Sequence, residues 1–213
     1  MRTGISEIPT LGLKAFVGVA AAFMLVACSK DSSPAGPGLR LSDKDLLAQG
    51  WRQFESQRFD SAAASFTGAY NETSNQEIRS ESLEGRGWAS MYRRDLLSAK
   101  SDFAAAMVLT LVSSTVVNDA RVGASFTLYA LNDFTNSASY AITALSDNPS
   151  YLFTHDSKVT AKRLRVLLVQ SYFANGQFDL AAAQLDIVEP ARAPHSADPT
   201  ILLGSITGVL SSL

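Results

Sequence analysis

The sequence predicts an all-α protein, an α-solenoid of about four helical hairpins followed by a C-terminal capping helix. A skeleton of small and aromatic residues returns at a fixed spacing, which indicates a repeated helical unit. In the first unit the skeleton is Gly50, Trp51, Phe54, Phe59, Ala62, Phe66 and Ala69. It recurs 37 residues later as Gly87, Trp88, Met91, Leu96, Ala99, Phe103 and Ala106. Helix-capping pairs and apolar spacings of three and four residues support the same fold class.

The first hairpin is predicted to begin at Ser42. Ser42 and Asp45 are three residues apart, the spacing of a capping box in which each side chain binds the other residue's backbone N–H. The first helix is expected to run to about Gln57. Its partner helix is expected from near Phe59 to near Tyr70, with small and aromatic residues on one face.

The second hairpin is predicted to start with another capping box, formed by Ser74 and Glu77. Its first helix is expected to reach Arg94, and its second to run from Asp95 to about Leu109. Residues 109–117 are rich in Val, Thr and Ser. We interpret them as a connection, because a strand there would have no second strand to pair with.

A third, less regular unit lies about 75 residues after the first. Its matching positions are Phe126, Tyr129, Phe134, Ser137, Ala141 and Ala144. A fourth hairpin is predicted over residues 162–187, with Gly176 in the turn, where a left-handed backbone conformation costs glycine little. Asp198 and Pro199 then provide a cap and a first-turn proline for a final helix that reaches Leu213.

The repeated pattern resembles the tetratricopeptide repeat, whose hairpins carry a small residue in the first helix and an Ala–aromatic–Ala series in the second. The resemblance covers residues 42–190 and is clear in the first, second and fourth units. The starting intervals are 37, 38 and 44 residues, longer than the usual 34 or so. Longer first helices or connections would explain the difference.

The resemblance implies that the first helix of each unit lines a concave face where peptides or partner helices dock. Six large side chains on these helices are therefore candidate partner-binding residues: Trp51, Phe54, Trp88, Met91, Phe126 and Tyr129. The alternative is that they form the core between repeats. Large aromatic side chains are highly buried on average, which favours the core interpretation.

The first 27 residues are typical of a signal peptide. Residues 15–27 form an apolar run that is too short to span a membrane comfortably as a helix. The four residues from Leu25 to Cys28 resemble the lipobox of bacterial lipoproteins, which implies that Cys28 is lipidated and becomes the new N-terminus. The alternative is a plain secretory signal with an incidental cysteine.

The chain is accordingly divided into a signal peptide (1–27), a tether rich in Ser, Pro and Gly (28–41) and a helical repeat domain (42–213). The lipobox resemblance implies a lipid anchor in the bacterial cell envelope. Ser29, directly after the cysteine, is similar to the outer-membrane sorting pattern, so we expect the outer membrane, at its periplasmic face or surface.

The sequence contains no recognisable catalytic constellation. His155 and His195 are far apart and lack a metal-ligand spacing, and no phosphate-binding loop is present. Gly50 and Gly87 stand beside tryptophans within helices, which indicates close packing. We therefore predict a protein that is not an enzyme and has neither a cofactor nor a metal.

A net charge of −2 argues against a nucleic-acid partner, which requires a basic surface. The predicted function is a noncatalytic scaffold for a protein or peptide partner in the envelope, with the membrane engaged through lipidated Cys28. The alternative is a lipoprotein that binds a glycan or small ligand for nutrient uptake.

Overall fold

A computed structural model describes residues 41–109 and 112–213, which form nine α-helices. The helices are α1 (Asp43–Glu55), α2 (Phe59–Glu72), α3 (Gln76–Tyr92), α4 (Leu96–Val108), α5 (Ser114–Ala130), α6 (Phe134–Asp147), α7 (Ala161–Ala174), α8 (Phe178–Val188) and α9 (Pro199–Leu210). The predicted signal peptide, Cys28 and the predicted tether up to residue 40 lie outside the described residues.

Consecutive helices pack against each other along the chain, from α1 on α2 to α7 on α8. The first helices of neighbouring hairpins also touch, as α1 on α3, α3 on α5 and α5 on α7. Helix α9 packs on α7 and α8 at the C-terminal end of the row. The predicted fold class, an all-α solenoid of four hairpins with a terminal helix, is confirmed.

Two predicted helix starts are confirmed by their caps. The Ser42 hydroxyl accepts a hydrogen bond from the Asp45 N–H at 3.1 Å, and the Asp45 carboxylate accepts one from the Ser42 N–H at 3.4 Å. At the start of α9, the carboxylate of Asp198 accepts from the N–H groups of Thr200 and Ile201, and Pro199 occupies the first turn. Local side-chain chemistry thus determines both starts.

The predicted capping box of Ser74 and Glu77 is wrong. Asn75 caps α3 instead, and its side-chain oxygen accepts from the Glu77 N–H at 2.8 Å. The Glu77 carboxylate accepts from the backbone N–H of Ser113 at 2.8 Å, so it reaches the next hairpin rather than its own helix start. Asn and Ser are about equally good caps, and sequence alone did not separate the two neighbours.

The predicted connection over residues 109–117 is too long at its C-terminal end. Helix α5 already begins at Ser114, because the Ser113 hydroxyl caps it by accepting from the Val116 N–H at 3.3 Å. The third hairpin is fully formed by α5 and α6, although its sequence matches the repeat least well.

Each hairpin turn contains one residue with a left-handed backbone, at equivalent positions of the four units. The φ angles are 58° for Gln57, 65° for Arg94, 61° for Asn132 and 72° for Gly176. The residue after each of these donates its N–H to a carbonyl five positions back, at 2.8 to 2.9 Å. Of these only Gly176 was predicted. Gln57 and Arg94 have residue types that do not indicate this conformation, whereas Asn132 has one that does and was missed.

Glycines and buried phenylalanines determine how closely the helices pack at the first two junctions between hairpins. Phe66 and Phe103 are fully buried, and each ring lies against glycines of two successive first helices. A Cβ added at Gly50 or at Gly85 would lie 2.5 Å from the ring of Phe66. A Cβ added at Gly87 would lie 2.8 Å from the ring of Phe103, and one added at Gly123 would lie 2.2 Å from it. The predicted close packing at Gly50 and Gly87 is therefore confirmed, and the rings fill the space that a side chain would need.

Candidate partner-binding face

The six candidate partner-binding residues lie on the first helices α1, α3 and α5, but they differ in exposure. Trp51, Phe54 and Trp88 are buried, at 7%, 3% and 0% exposure. Met91, Phe126 and Tyr129 are half-buried. The first three side chains belong to the hydrophobic core, and the partner-binding role of the whole set stays a prediction.

The connection between α6 and α7, residues 148–160, covers this face from within the same chain. We call it the covering segment. Its Phe153 is 1% exposed and stacks on Trp88, with ring centroids 4.4 Å apart and an interplanar angle of 22°. The same ring meets Trp51 and Phe54 edge-on, at centroid distances of 6.1 and 6.2 Å. Phe153 thus joins the aromatic residues of the first two units.

Two polar contacts hold the covering segment beside α1 and α3. The imidazole of His155 stacks on Trp51, with centroids 3.8 Å apart and planes 2° from parallel, and its Nδ1 lies 2.8 Å from Oε1 of Glu55. The hydroxyl of Tyr92 donates a hydrogen bond to the carboxylate of Asp156. Burial, together with that hydrogen bond, raises the pKa of Tyr92 above its usual value.

The covering segment is held in shape by its own backbone. The N–H of Phe153 donates to the carbonyl of Val159 at 2.9 Å, and the N–H of Ala161 donates to the carbonyl of Tyr151 at 2.7 Å. A further bond of 2.9 Å joins the Val159 N–H to the carbonyl of Asp156. These bonds satisfy backbone groups that burial would otherwise leave unpaired, so the segment can lie on an aromatic surface.

A polar cavity of about 240 Å³ lies next to the aromatic residues that Phe153 contacts. It is bounded by α1, α3, α5 and the covering segment, and four carboxyl residues line it: Glu77, Glu81, Glu84 and Asp119. The indole N–H of Trp51 donates to Oε1 of Glu81 at 2.9 Å at the same place.

Burial and mutual repulsion keep two of these carboxyl groups weakly acidic. Burial, followed by the charges of Asp119 and Glu81, raises the pKa of Glu84 well above its usual value. Burial, with the charge of Glu81, raises the pKa of Asp119 to about 6. Burial and the neighbouring Asp119 also raise the pKa of Tyr151. Glu84 and Asp119 therefore keep their protons at pH values at which exposed carboxyl groups would have released them.

An open groove of about 620 Å³ lies between α2, α3 and α4. Arg86 and Asp102 form a bidentate ion pair in it, with Nε to Oδ2 at 2.8 Å and Nη2 to Oδ1 at 2.6 Å. This pair ties the second helix of the hairpin to the first. The groove is shallow and wide, which suits packing of the hairpins more than capture of a small ligand.

The two histidines lie in separate surroundings. His155 lies on the aromatic face, whereas the Nδ1 of His195 is 2.7 Å from Oδ1 of Asp186. Within the described ranges 41–109 and 112–213, no three His, Cys, Asp or Glu side chains come together in a way that could hold a metal ion. No helix of those ranges is long and apolar enough to cross a membrane.

The repeat pattern predicts the positions of the six candidate residues on the first helices, but it does not predict the covering segment or the burial of Glu84 and Asp119. The signal for the segment was the 44-residue interval between the third and fourth units, which residues 148–160 account for. Neither a protein-family model nor a curated protein sequence matches this chain.

Proposed function

We propose that this protein is a noncatalytic scaffold of the bacterial cell envelope, anchored through a lipid on Cys28, which binds a protein partner along its row of hairpins. The observation that carries the proposal is the successive pairing of four hairpins, since such a row presents an extended surface for many weak contacts. The resemblance to tetratricopeptide repeats supports the same role.

The partner surface in this proposal is the part of the first-helix face that the covering segment leaves accessible. Phe126 and Tyr129 are three residues apart on α5, so they share a helix face, and both are half-buried. Half-buried aromatic residues at the border of a core are suited to anchor a partner, because they are already ordered and still offer apolar area. Trp51, Phe54 and Trp88 would support this face from beneath.

Capture of the partner tests the scaffold role. We expect the full-length protein, cross-linked in its own membrane, to retain one protein in stoichiometric amount, and F126A/Y129A to lose it. Both rings pack against the core, so the double variant should melt at a lower temperature, and capture is compared at a temperature at which circular dichroism shows it to be folded. The matched control is Leu97→Ala on α4, which removes an apolar side chain that is 74% exposed and should leave capture unchanged.

Two outcomes would contradict the proposal, the first its partner surface and the second its scaffold role. Capture that survives F126A/Y129A would place the partner elsewhere. Retention of the protein on glycans with no protein partner would instead support the alternative, a lipoprotein for nutrient uptake.

The anchor is tested separately. Labelled palmitate should enter the parent protein and not Cys28→Ser, and the variant should leave the membrane fraction, because several acyl chains on one cysteine hold firmly. Equal labelling of both proteins would overturn the lipid anchor without touching the scaffold role.

A further inference from the structure

The cavity lined by carboxyl groups has an arrangement that follows from helix geometry. Glu77, Glu81 and Glu84 stand at spacings of four and three residues on α3, so all three lie on one face of that helix. Asp119 approaches from α5, and His155 and Trp51 line the cavity from the covering segment and α1. Three helices and a connection thus contribute side chains to one acidic cavity, which is partly open to solvent.

The carboxyl groups of the cavity differ in their hydrogen-bond partners. Glu77 accepts from the backbone of Ser113, and Glu81 accepts from the indole of Trp51. Glu84 is only 2% exposed, and the indole N–H of Trp88 interacts with its carboxyl group, but its Oε1 accepts no hydrogen bond of normal length from any described residue. A buried polar atom without a partner costs roughly 1–3 kcal/mol, so this oxygen is an unused acceptor in the cavity.

The cavity also lacks a counter-charge. None of the described residues that line it is Lys or Arg. The raised pKa values of Glu84 and Asp119 limit the repulsion among the four carboxyl groups, but the negative charge that remains has no Lys or Arg of the lining beside it. The chemistry that would compensate it is a positive charge with several hydrogen-bond donors.

We propose that this cavity binds an organic cation, an alkylammonium or guanidinium group, which donates hydrogen bonds to Glu84 and Asp119. The ammonium group has three donors and the guanidinium group five, which suits a set of acceptors on several elements. At about 240 Å³ the cavity is smaller than usual ligand pockets, which start near 300 Å³, so it fits a side chain or a small amine.

A bare metal ion fits the arrangement less well. No three of the His, Cys, Asp and Glu side chains in the described part of the chain converge closely enough to hold one. A cation that extends over several ångströms through its N–H groups can reach carboxylates that are too far apart to share a metal. The organic cation therefore matches the observed donor set better.

Binding of the cation would release a proton. Within the cavity Glu84 faces Glu77 and Glu81 on its own helix, Asp119 on α5, and Tyr151 and His155 on the covering segment. These surroundings hold its proton, and a nearby positive charge would favour the ionised carboxylate. This inference does not depend on the scaffold role or on the lipid anchor.

Titration calorimetry on the full-length protein tests the proposal. The probes are butylammonium, which reproduces a lysine side chain, methylguanidinium and a short lysine-containing peptide, with butanol as the uncharged isostere of butylammonium. We expect saturable binding of the cations below about 10 mM, no binding of butanol, and proton release measured in buffers of different ionisation enthalpy. Binding of the peptide as well would assign the cation to a partner's side chain, and binding of free amines alone to a small ligand.

Glu84→Gln is the informative variant, because it keeps the shape of a carboxyl group that is protonated in the empty cavity. We expect it to weaken cation binding about tenfold or more and to abolish proton release, and Asp119→Asn to weaken binding as well. Asp179→Asn, on the exposed first turn of α8, makes the same carboxyl-to-amide change far from the cavity lining and should bind as the parent does.

Three results would overturn the proposal. The first is the absence of saturable binding for every cation probe. The second is binding that Glu84→Gln leaves unchanged, and the third is tighter binding of Ca²⁺ or Mg²⁺ than of the organic cations at equal ionic strength.

Discussion

Phe153 lies against the indole ring of Trp88 with the two ring centroids 4.4 Å apart, although the residues belong to different units of the row. The contact places a side chain of the α6–α7 connection in the core of the first two hairpins. Because Phe153 is almost completely buried, Phe153→Ala should lower the free energy of unfolding by about 3–5 kcal/mol. Chemical denaturation monitored by tryptophan fluorescence measures this loss.

The control for Phe153 is its neighbour. Leu152 is 55% exposed in the same segment, and Leu152→Ala should change the free energy of unfolding by no more than about 0.5 kcal/mol. Equal effects of the two substitutions would show that the covering segment does not rest on the aromatic residues as described.

The glycines of the first helices give a second prediction. Gly123→Ala should destabilise the protein by about 1–3 kcal/mol, because the new methyl group would lie 2.2 Å from the fully buried ring of Phe103. A Cβ added at Gly208 on α9 would have no neighbouring heavy atom within 4 Å, so Gly208→Ala should stabilise the protein by about 0.5–1 kcal/mol. Opposite shifts in melting temperature are expected, and shifts of the same sign would contradict the packing at the hairpin junction.

The acidic cavity gives a prediction about pH. Asp119 has a pKa of about 6 in the folded chain, above its usual 3.8, so the folded state holds a proton that the unfolded chain has released between these values. Stability from this group is fully present below about pH 4 and falls as pH rises towards 6. The raised pKa of Glu84 extends the fall to higher pH.

Thermal melting from pH 4.5 to 8 checks this direction. The parent protein should lose stability as pH rises, and Asp119→Asn should flatten the curve and melt higher than the parent at neutral pH. Exposed helix-cap carboxyl groups such as Asp95 and Asp133 have lowered pKa values and act in the opposite direction, below about pH 4. A rise in the parent's stability across this range would contradict the raised values.

The ion pair of the open groove gives the last prediction. Asp102 is nearly buried and binds Arg86 through two hydrogen bonds, so Asp102→Asn should cost about 1–3 kcal/mol. Asp60 and Arg93 form an exposed pair at 2.7 Å in the same groove, and Asp60→Asn should leave stability unchanged within error. Urea denaturation of both variants measures the difference, and an equal loss would show that burial does not decide the strength of these pairs.

The sequence predicted those features that depend on nearby residues. Ser42 with Asp45 and Asp198 with Pro199 start helices through contacts within one turn, and the repeat spacing ordered the hairpins. It could not predict the covering segment, because Phe153 and Trp88 are 65 residues apart in the sequence and meet only through the packing of the hairpins. It also missed the acidic cavity, since Glu84 and Asp119 look like solvated helix residues until the packing of α3 on α5 buries them.

Units of an ordinary repeat array touch only their neighbours, so such an array can fray from either end. Here the stacking of His155 on Trp51 joins the connection after the third hairpin to the first helix, about a hundred residues earlier in the chain. Unfolding of the N-terminal hairpin would therefore also break its contacts with the ring of Phe153. Melting should therefore be a single concerted transition, with loss of the first hairpin and release of residues 148–160 occurring together.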